Sequence, residues 1–149
     1  MVEISQISDL LITDLKQINH PKGNILHGIR KNDIGFKGFG EAYFSTIKYG
    51  GIKAWKRHDM MTLNLLVPLG KIRFVFYDER ENSKTFGRFT EITLSIDNYK
   101  RLTVPPGVWM GFQGLGKEIN MVLNIADIEH DSNEQTNISI EDSNIKFSW

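Results

Sequence analysis

Met61-Thr62-Leu63-Asn64-Leu65-Leu66-Val67-Pro68-Leu69-Gly70-Lys71-Ile72-Arg73-Phe74-Val75-Phe76-Tyr77 is the stretch that decides the fold class. In residues 61–67, Met61, Leu63, Leu65 and Val67 fall on one side of an extended chain, and Thr62 and Asn64 fall on the other. In residues 71–77, Ile72, Phe74 and Phe76 oppose Arg73, Val75 and Tyr77. A period of two with β-branched and aromatic residues predicts two strands, each with a packed face. The same alternation extends in both directions. Residues 42–48 set Ala42, Phe44 and Thr46 against Tyr43, Ser45 and Ile47, and residues 91–96 set Ile92, Leu94 and Ile96 against Glu91, Thr93 and Ser95. Residues 101–104 run into Pro105-Pro106-Gly107, where the prolines cannot donate to a central ladder and a turn must follow. Another strand is predicted over 120–126. Leu11, Leu15 and Ile18 recur at helical spacing behind a possible cap at Ser8, so residues 8–18 are the best helical candidate, with an extended reading open beside it. Many short strands with regular turn signals call for a closed barrel or a two-sheet jelly roll, which protects strand edges, and the interior of such a barrel is the natural ligand site.

Bulk properties narrow the function. With 149 residues the chain suits one domain, able to bury roughly 70% of its unfolded surface. Its 18 Lys and Arg balance 18 Asp and Glu, so no broad field attracts a nucleic acid polymer or an anionic membrane. The absence of cysteine removes disulfides, thiolate nucleophiles and cysteine metal sites. Charges spread through residues 1–17 interrupt any secretory or membrane-spanning apolar run, and the expected location is the cytoplasm.

Two stretches resemble the cupin motifs. Gly51-Ile52-Lys53-Ala54-Trp55-Lys56-Arg57-His58, closing at Gly70, resembles the first, in which His-x-His and a later Glu lie between two glycines. Pro105-Pro106-Gly107-Val108-Trp109-Met110 resembles the second, in which Pro-x-Gly precedes a histidine. The expected fold is therefore all-β: a cupin jelly-roll barrel, or double-stranded β-helix, in one domain over 1–149 with an N-terminal segment over 1–35. Lys56 stands at the first histidine position and Met110 at the last, so His58 alone keeps an imidazole. A protonated ammonium has no lone pair for a metal. Neither a metal nor another cofactor is expected.

Within cupins, residues 23–149 resemble the dTDP-4-dehydrorhamnose 3,5-epimerase family. Five pieces carry the resemblance, in order: residues 38–45, 51–55, 78–87, 105–112 and the closing Asp142-Ser143-Asn144-Ile145-Lys146-Phe147-Ser148-Trp149. The resemblance implies a metal-free enzyme of nucleotide-sugar metabolism and a homodimer that exchanges N-terminal strands. In this family a histidine removes protons beside a C4 ketone, an aspartate orients it, a lysine steadies the enolate oxygen and a tyrosine returns a proton from the opposite face. The base position falls on Lys56, the aspartate on Asp142 and the lysine near Thr62, while the acid falls in residues 122–124, which contain no tyrosine. A lysine beside Asp142 is held in its charged form, which suits Lys56 to gripping a ketone or enolate oxygen. Proton transfer then passes to His58 or His130, with Tyr43 and Tyr77 as donors if they face the pocket. Lys53 stands where relatives place an arginine on the diphosphate, and Lys37 where they place another. Trp55 and Trp109 offer flat surfaces to a base or sugar. Glu41, Tyr43, Asn64 and Met110 complete the substrate-binding set implied.

The expected function is epimerisation or isomerisation of a 4-keto-6-deoxy nucleotide sugar by proton abstraction next to the ketone, in surface polysaccharide or glycan biosynthesis. The partner is then a nucleotide-diphosphate sugar. One alternative is a non-catalytic cupin that binds a sugar nucleotide. A second is a sugar 3,4-ketoisomerase, although those enzymes use a His-x-His pair where this chain has Lys56-x-His58.

Overall fold

A computed structural model describes residues 7–149 in full, together with the backbone of residues 2–4. In chain order the strands are β1 (Val2–Ile4), β2 (Leu11–Asp14), β3 (Gln17–Ile18), β4 (Ile25–Leu26), β5 (Glu41–Ile47), β6 (Ile52–His58), β7 (Leu63–Leu69), β8 (Lys71–Asp78), β9 (Phe89–Ser95), β10 (Lys100–Val104), β11 (Val108–Gly114), β12 (Asn120–Ala126) and β13 (Gln135–Asn137), with a short 3-10 turn over Ser132–Glu134. Six strands make one sheet in the order β1-β2-β10-β7-β12-β5, and five make the other in the order β13-β6-β11-β8-β9. The chain changes sheet repeatedly, as a jelly roll requires. Strands β3 and β4 form a separate small ribbon.

The core lies between the sheets. Leu63, Leu65 and Val67 of β7 and Ile72, Phe74 and Phe76 of β8 pack there with Leu102, Met110 and Val122. These are the apolar sides read from residues 61–67 and 71–77. Leu69 and Lys71 are joined by Gly70 alone, whose φ of +82° is a conformation that a side chain would strain. The turn after β10 also falls at the double proline, and the Gly107 amide donates to the His58 carbonyl at 2.7 Å, tying that turn to the end of β6.

Both sheets also have covered outer faces. On the first, Asn64 of β7 accepts from Thr103 and from Arg101, and donates to the Gly35 carbonyl. Arg101, 1% exposed, donates to the Gly28 and Ile34 carbonyls, so a polar network rather than solvent meets this face and holds residues 28–35 against it. On the second, Phe147 and Trp149 close over Trp55 and Val75. A Cβ at Gly111 would come within 2.8 Å of the Trp149 ring, which explains the missing side chain.

The helix predicted over residues 8–18 does not form. Leu11–Asp14 is a strand paired with β10, placing Ile12 opposite Leu102. Leu10 and Ile12 are buried at a spacing of two. Docking on a waiting strand edge outweighs the weaker helical recurrence of Leu11, Leu15 and Ile18, because an isolated helix of this length is marginal. The N-terminal strand exchange expected over 1–35 falls partly outside the described residues, at residues 1, 5 and 6.

Candidate active site

Strand β6 sets the site through an irregularity in its pairing. Met110 of β11 lies opposite Lys56, but Phe112 lies opposite Lys53, so β6 carries one extra residue between them. Strict alternation would send Lys53 and Lys56 to opposite faces, whereas the bulge turns both inward. His58, two residues beyond Lys56, shares the inward face. All three line a cavity of about 540 Å³ between the sheets, within the size range of small-molecule sites. The opposite wall is Tyr43 and Ser45 of β5, Leu63 and Leu65 of β7, and Val122 and Asn124 of β12. Phe74, Met110 and Phe112 contribute from the second sheet, and Asn137, Ile138 and Ser139 form one rim. Among the described residues no Asp or Glu lines it, so its charged groups favour an anionic ligand.

The Lys56 ammonium has no hydrogen bond or ion pair to any described residue, which leaves it for whatever fills the cavity. Lys53 donates to the Thr46 carbonyl at 3.0 Å and lies over the Phe112 ring.

His58 is held differently. Its Nδ1 is hydrogen-bonded to the carboxylate of Glu134, and both side chains are buried, at 7% and 4% exposure. Glu134 sits at the end of the 3-10 turn, immediately before β13 pairs with β6, and Gln135 is the register partner of His58. Its second oxygen accepts from the amides of Met60 and Met61, each at 3.2 Å. Burial pushes the Glu134 carboxyl upward, but the His58 hydrogen bond and those two amides together hold it below its ordinary value. With Nδ1 engaged by a carboxylate, the imidazole carries its proton there and leaves Nε2 as a lone pair, the arrangement a general base needs.

On the other wall, Tyr43 and Asn124 are register partners on β5 and β12. Asn124 Nδ2 donates to the Tyr43 hydroxyl oxygen at 2.8 Å. Burial raises the Tyr43 pKa, with the Asn124 contact opposing and the nearby Glu41 carboxylate adding to the rise.

Of the residues singled out in the sequence, Lys53, Lys56, His58, Tyr43, Trp55 and Met110 line the cavity. The others lie elsewhere. Asp142 is exposed and accepts from the Ser139 hydroxyl at 2.8 Å, forming a local turn without contact to Lys56. His130 and Lys37 are exposed outside the lining, and Glu41 stands at the start of β5, also outside it. Asn64 points to the outer face of its sheet, into the Arg101 network. The Trp109 ring is on the outer face as well, donating to Glu79 at 2.7 Å with the Arg57 guanidinium 4.9 Å above it. The Trp55 ring packs against Phe147 and Trp149 and is 1% exposed, so it offers no open face to a ligand. Tyr77 packs on Phe89 and does not reach the cavity.

Glu134, Asn124 and Phe112 were not singled out. Phe112 could have been found two residues beyond Met110 on the same strand face. Asn124 lies within the stretch where an acid was sought, but an amide gives no signal for one. Glu134 is separated from His58 by 76 positions and stands in an unpatterned polar run, so nothing local marks it. Among the described residues no group of three His, Asp or Glu side chains forms a metal site, and no helix is long and apolar enough to cross a membrane.

Comparisons with known proteins place the fold and the chain as a whole. A dTDP sugar isomerase from Desulfovibrio desulfuricans G20 superimposes with a TM-score of 0.95 at 39% identity, covering 99% of this chain and 94% of that one. The dTDP-4-dehydrorhamnose 3,5-epimerase of Bacillus anthracis, solved with TDP and PPi bound, has the same fold, with a TM-score of 0.87 at 22% identity over 100% of this chain and 89% of the other. The spore coat polysaccharide biosynthesis protein SpsL of Bacillus subtilis is 27% identical over 145 residues, 96% of each chain. The dTDP-4-dehydrorhamnose 3,5-epimerase profile matches residues 6–149, nearly the whole sequence. The two facing sheets thus carry the cupin jelly roll of an enzyme, and the chain belongs to the dTDP-4-dehydrorhamnose 3,5-epimerase family.

Proposed function

We propose that the cavity binds a 4-keto-6-deoxy nucleotide sugar and epimerises or isomerises it by removing a proton from a carbon beside the ketone. The observation that carries this reading is the buried His58–Glu134 pair opening beside Lys56 in a cavity with no acidic lining. The carbon–hydrogen bond breaks towards His58 Nε2, its electrons form the enolate double bond, and the charge gathers on the former ketone oxygen. Proton loss beside a carbonyl becomes feasible when that oxygen is stabilised where the charge develops. The Lys56 ammonium supplies the charge. Glu134 fixes the imidazole tautomer and steadies the imidazolium once formed, a positioning role. Lys53 suits the diphosphate end of the ligand, as a point charge without a bidentate fork. No metal or other cofactor enters this reaction. The relatives' names support a place in surface polysaccharide or glycan biosynthesis.

The reading includes a homodimer. Phe44, 64% exposed, points outward from β5 at the edge of the first sheet, and Leu69 on the same sheet is 46% exposed. An edge strand with an exposed aromatic invites pairing. Light scattering should give twice the 17.1 kDa chain mass, and a monomer at micromolar concentration would contradict it.

The reaction is tested by incubating the protein with dTDP-4-keto-6-deoxyglucose in deuterated water and following the sugar proton signals by NMR. Loss of the C3 signal, alone or with C5, is expected. Intact signals alongside saturable binding by calorimetry would replace the enzymatic reading for this substrate with a binding one.

A further inference from the structure

The family's acid position falls in residues 122–124, where this chain has no tyrosine, yet the structure brings a phenol to that wall from the neighbouring strand. Tyr43 lies directly across the ladder from Asn124, and both side chains line the cavity. Asn124 is 6% exposed and donates to the Tyr43 oxygen, occupying one of its lone pairs. Among the described residues nothing accepts the Tyr43 hydroxyl hydrogen, which is therefore free to donate into the cavity.

His58 approaches from the second sheet and Tyr43 from the first, so a ring held between them presents one face to each. We propose that Tyr43 is the acid that returns a proton to the substrate carbon on the face opposite His58, with Asn124 as its positioning residue. The proposal rests on the epimerase reading given above. The balance is simple. His58 takes the proton from one face and becomes imidazolium. The enolate carbon then takes the Tyr43 proton on the other face, the carbonyl re-forms and the phenolate remains. Proton exchange with solvent resets both groups, and the carbon is inverted. A tyrosine hydroxyl is protonated at neutral pH, as this role requires.

The experiment measures two rates with dTDP-4-keto-6-deoxyglucose in deuterated water: deuterium entry at C3, and appearance of the inverted sugar. The wild type should show both. Tyr43→Phe keeps the ring and should still exchange, because His58 can return the deuteron to the face it took it from, while inversion per exchange falls by about 100-fold. Asn124→Leu should lower the same ratio, a change that a merely structural loss would not produce. Near-UV circular dichroism checks that both variants fold. A Tyr43→Phe protein that inverts as often per exchange as the wild type would overturn the assignment. So would a folded Tyr43→Phe protein that loses exchange and inversion equally, since Tyr43 would then only bind. Failure of the wild type to exchange at all would remove the epimerase reading, and this assignment with it.

Discussion

Two nitrogens of one imidazole divide the work proposed for His58. Nδ1 is bonded to the buried Glu134 carboxylate and the side chain lines the cavity, so Glu134 fixes the direction in which the base is presented. Glu134→Gln keeps the volume but removes the charge that steadies the imidazolium. It should lower deuterium exchange at C3 by about 100-fold while leaving the substrate dissociation constant nearly unchanged. Steady-state kinetics with calorimetry checks this split between turnover and binding. Asp142→Asn, at the position the family's aspartate would take, should leave the rate unchanged, because Asp142 bonds only within its own turn. If the two variants exchange these outcomes, the orienting carboxylate is Asp142 after all. Lys56→Ala should cost about 100-fold or more in exchange, with an unaltered fold, because the ammonium has no structural partner among the described residues to lose.

At the level of strands, the bulge in β6 determines which charges meet. It was invisible in the sequence because the extra residue is defined by the register against β11, between Met110 and Phe112, and not by any local pattern. The strands themselves were legible: residues 71–77 and 120–126 give β8 and β12 almost to the residue. The N-terminal segment misled because two periodicities compete there and tertiary pairing with β10 selected the extended one. That segment is anchored by the loop after β8. Asp78, fully buried, accepts from Arg80, Ser83 and Thr85, while Arg80 donates to the Ser8 carbonyl and the Ser8 amide donates to Thr85. Burial opposes the Asp78 charge, but these donors outweigh it and hold its carboxyl far below the usual carboxylate range. A depressed folded value means that this stabilisation is fully present above the ordinary aspartate pKa. It is lost as pH falls from there towards the folded value. Asp78→Ala should destabilise the fold by about 3 kcal/mol, since it leaves Arg80 beside uncompensated hydroxyls. The mutant's urea midpoint should also depend less on pH between about 2 and 5 than the wild type's, in parallel denaturation series.

For the molecule as a whole, the fold could be read from the order of five weak motifs, and the chemistry could be read only in part. Sequence placed Lys53, Lys56 and His58 near one another because they share a strand. It could not bring Glu134 to His58, since closure of the jelly roll alone unites β13 with β6. Nor could it separate Trp109 from the cavity or show that the Trp55 ring packs under Phe147 and Trp149, because an outer face of a sheet can bury an aromatic ring as well as the core does. The arrangement that results sets the imidazole of His58 on one sheet against the phenol of Tyr43 on the other, with Lys56 on the same strand as the imidazole. The most direct test of this account is C3 deuterium exchange in His58→Gln compared with the wild type, using dTDP-4-keto-6-deoxyglucose. The account predicts a fall of at least about 100-fold with the fold retained. An exchange rate equal to that of the wild type would contradict it.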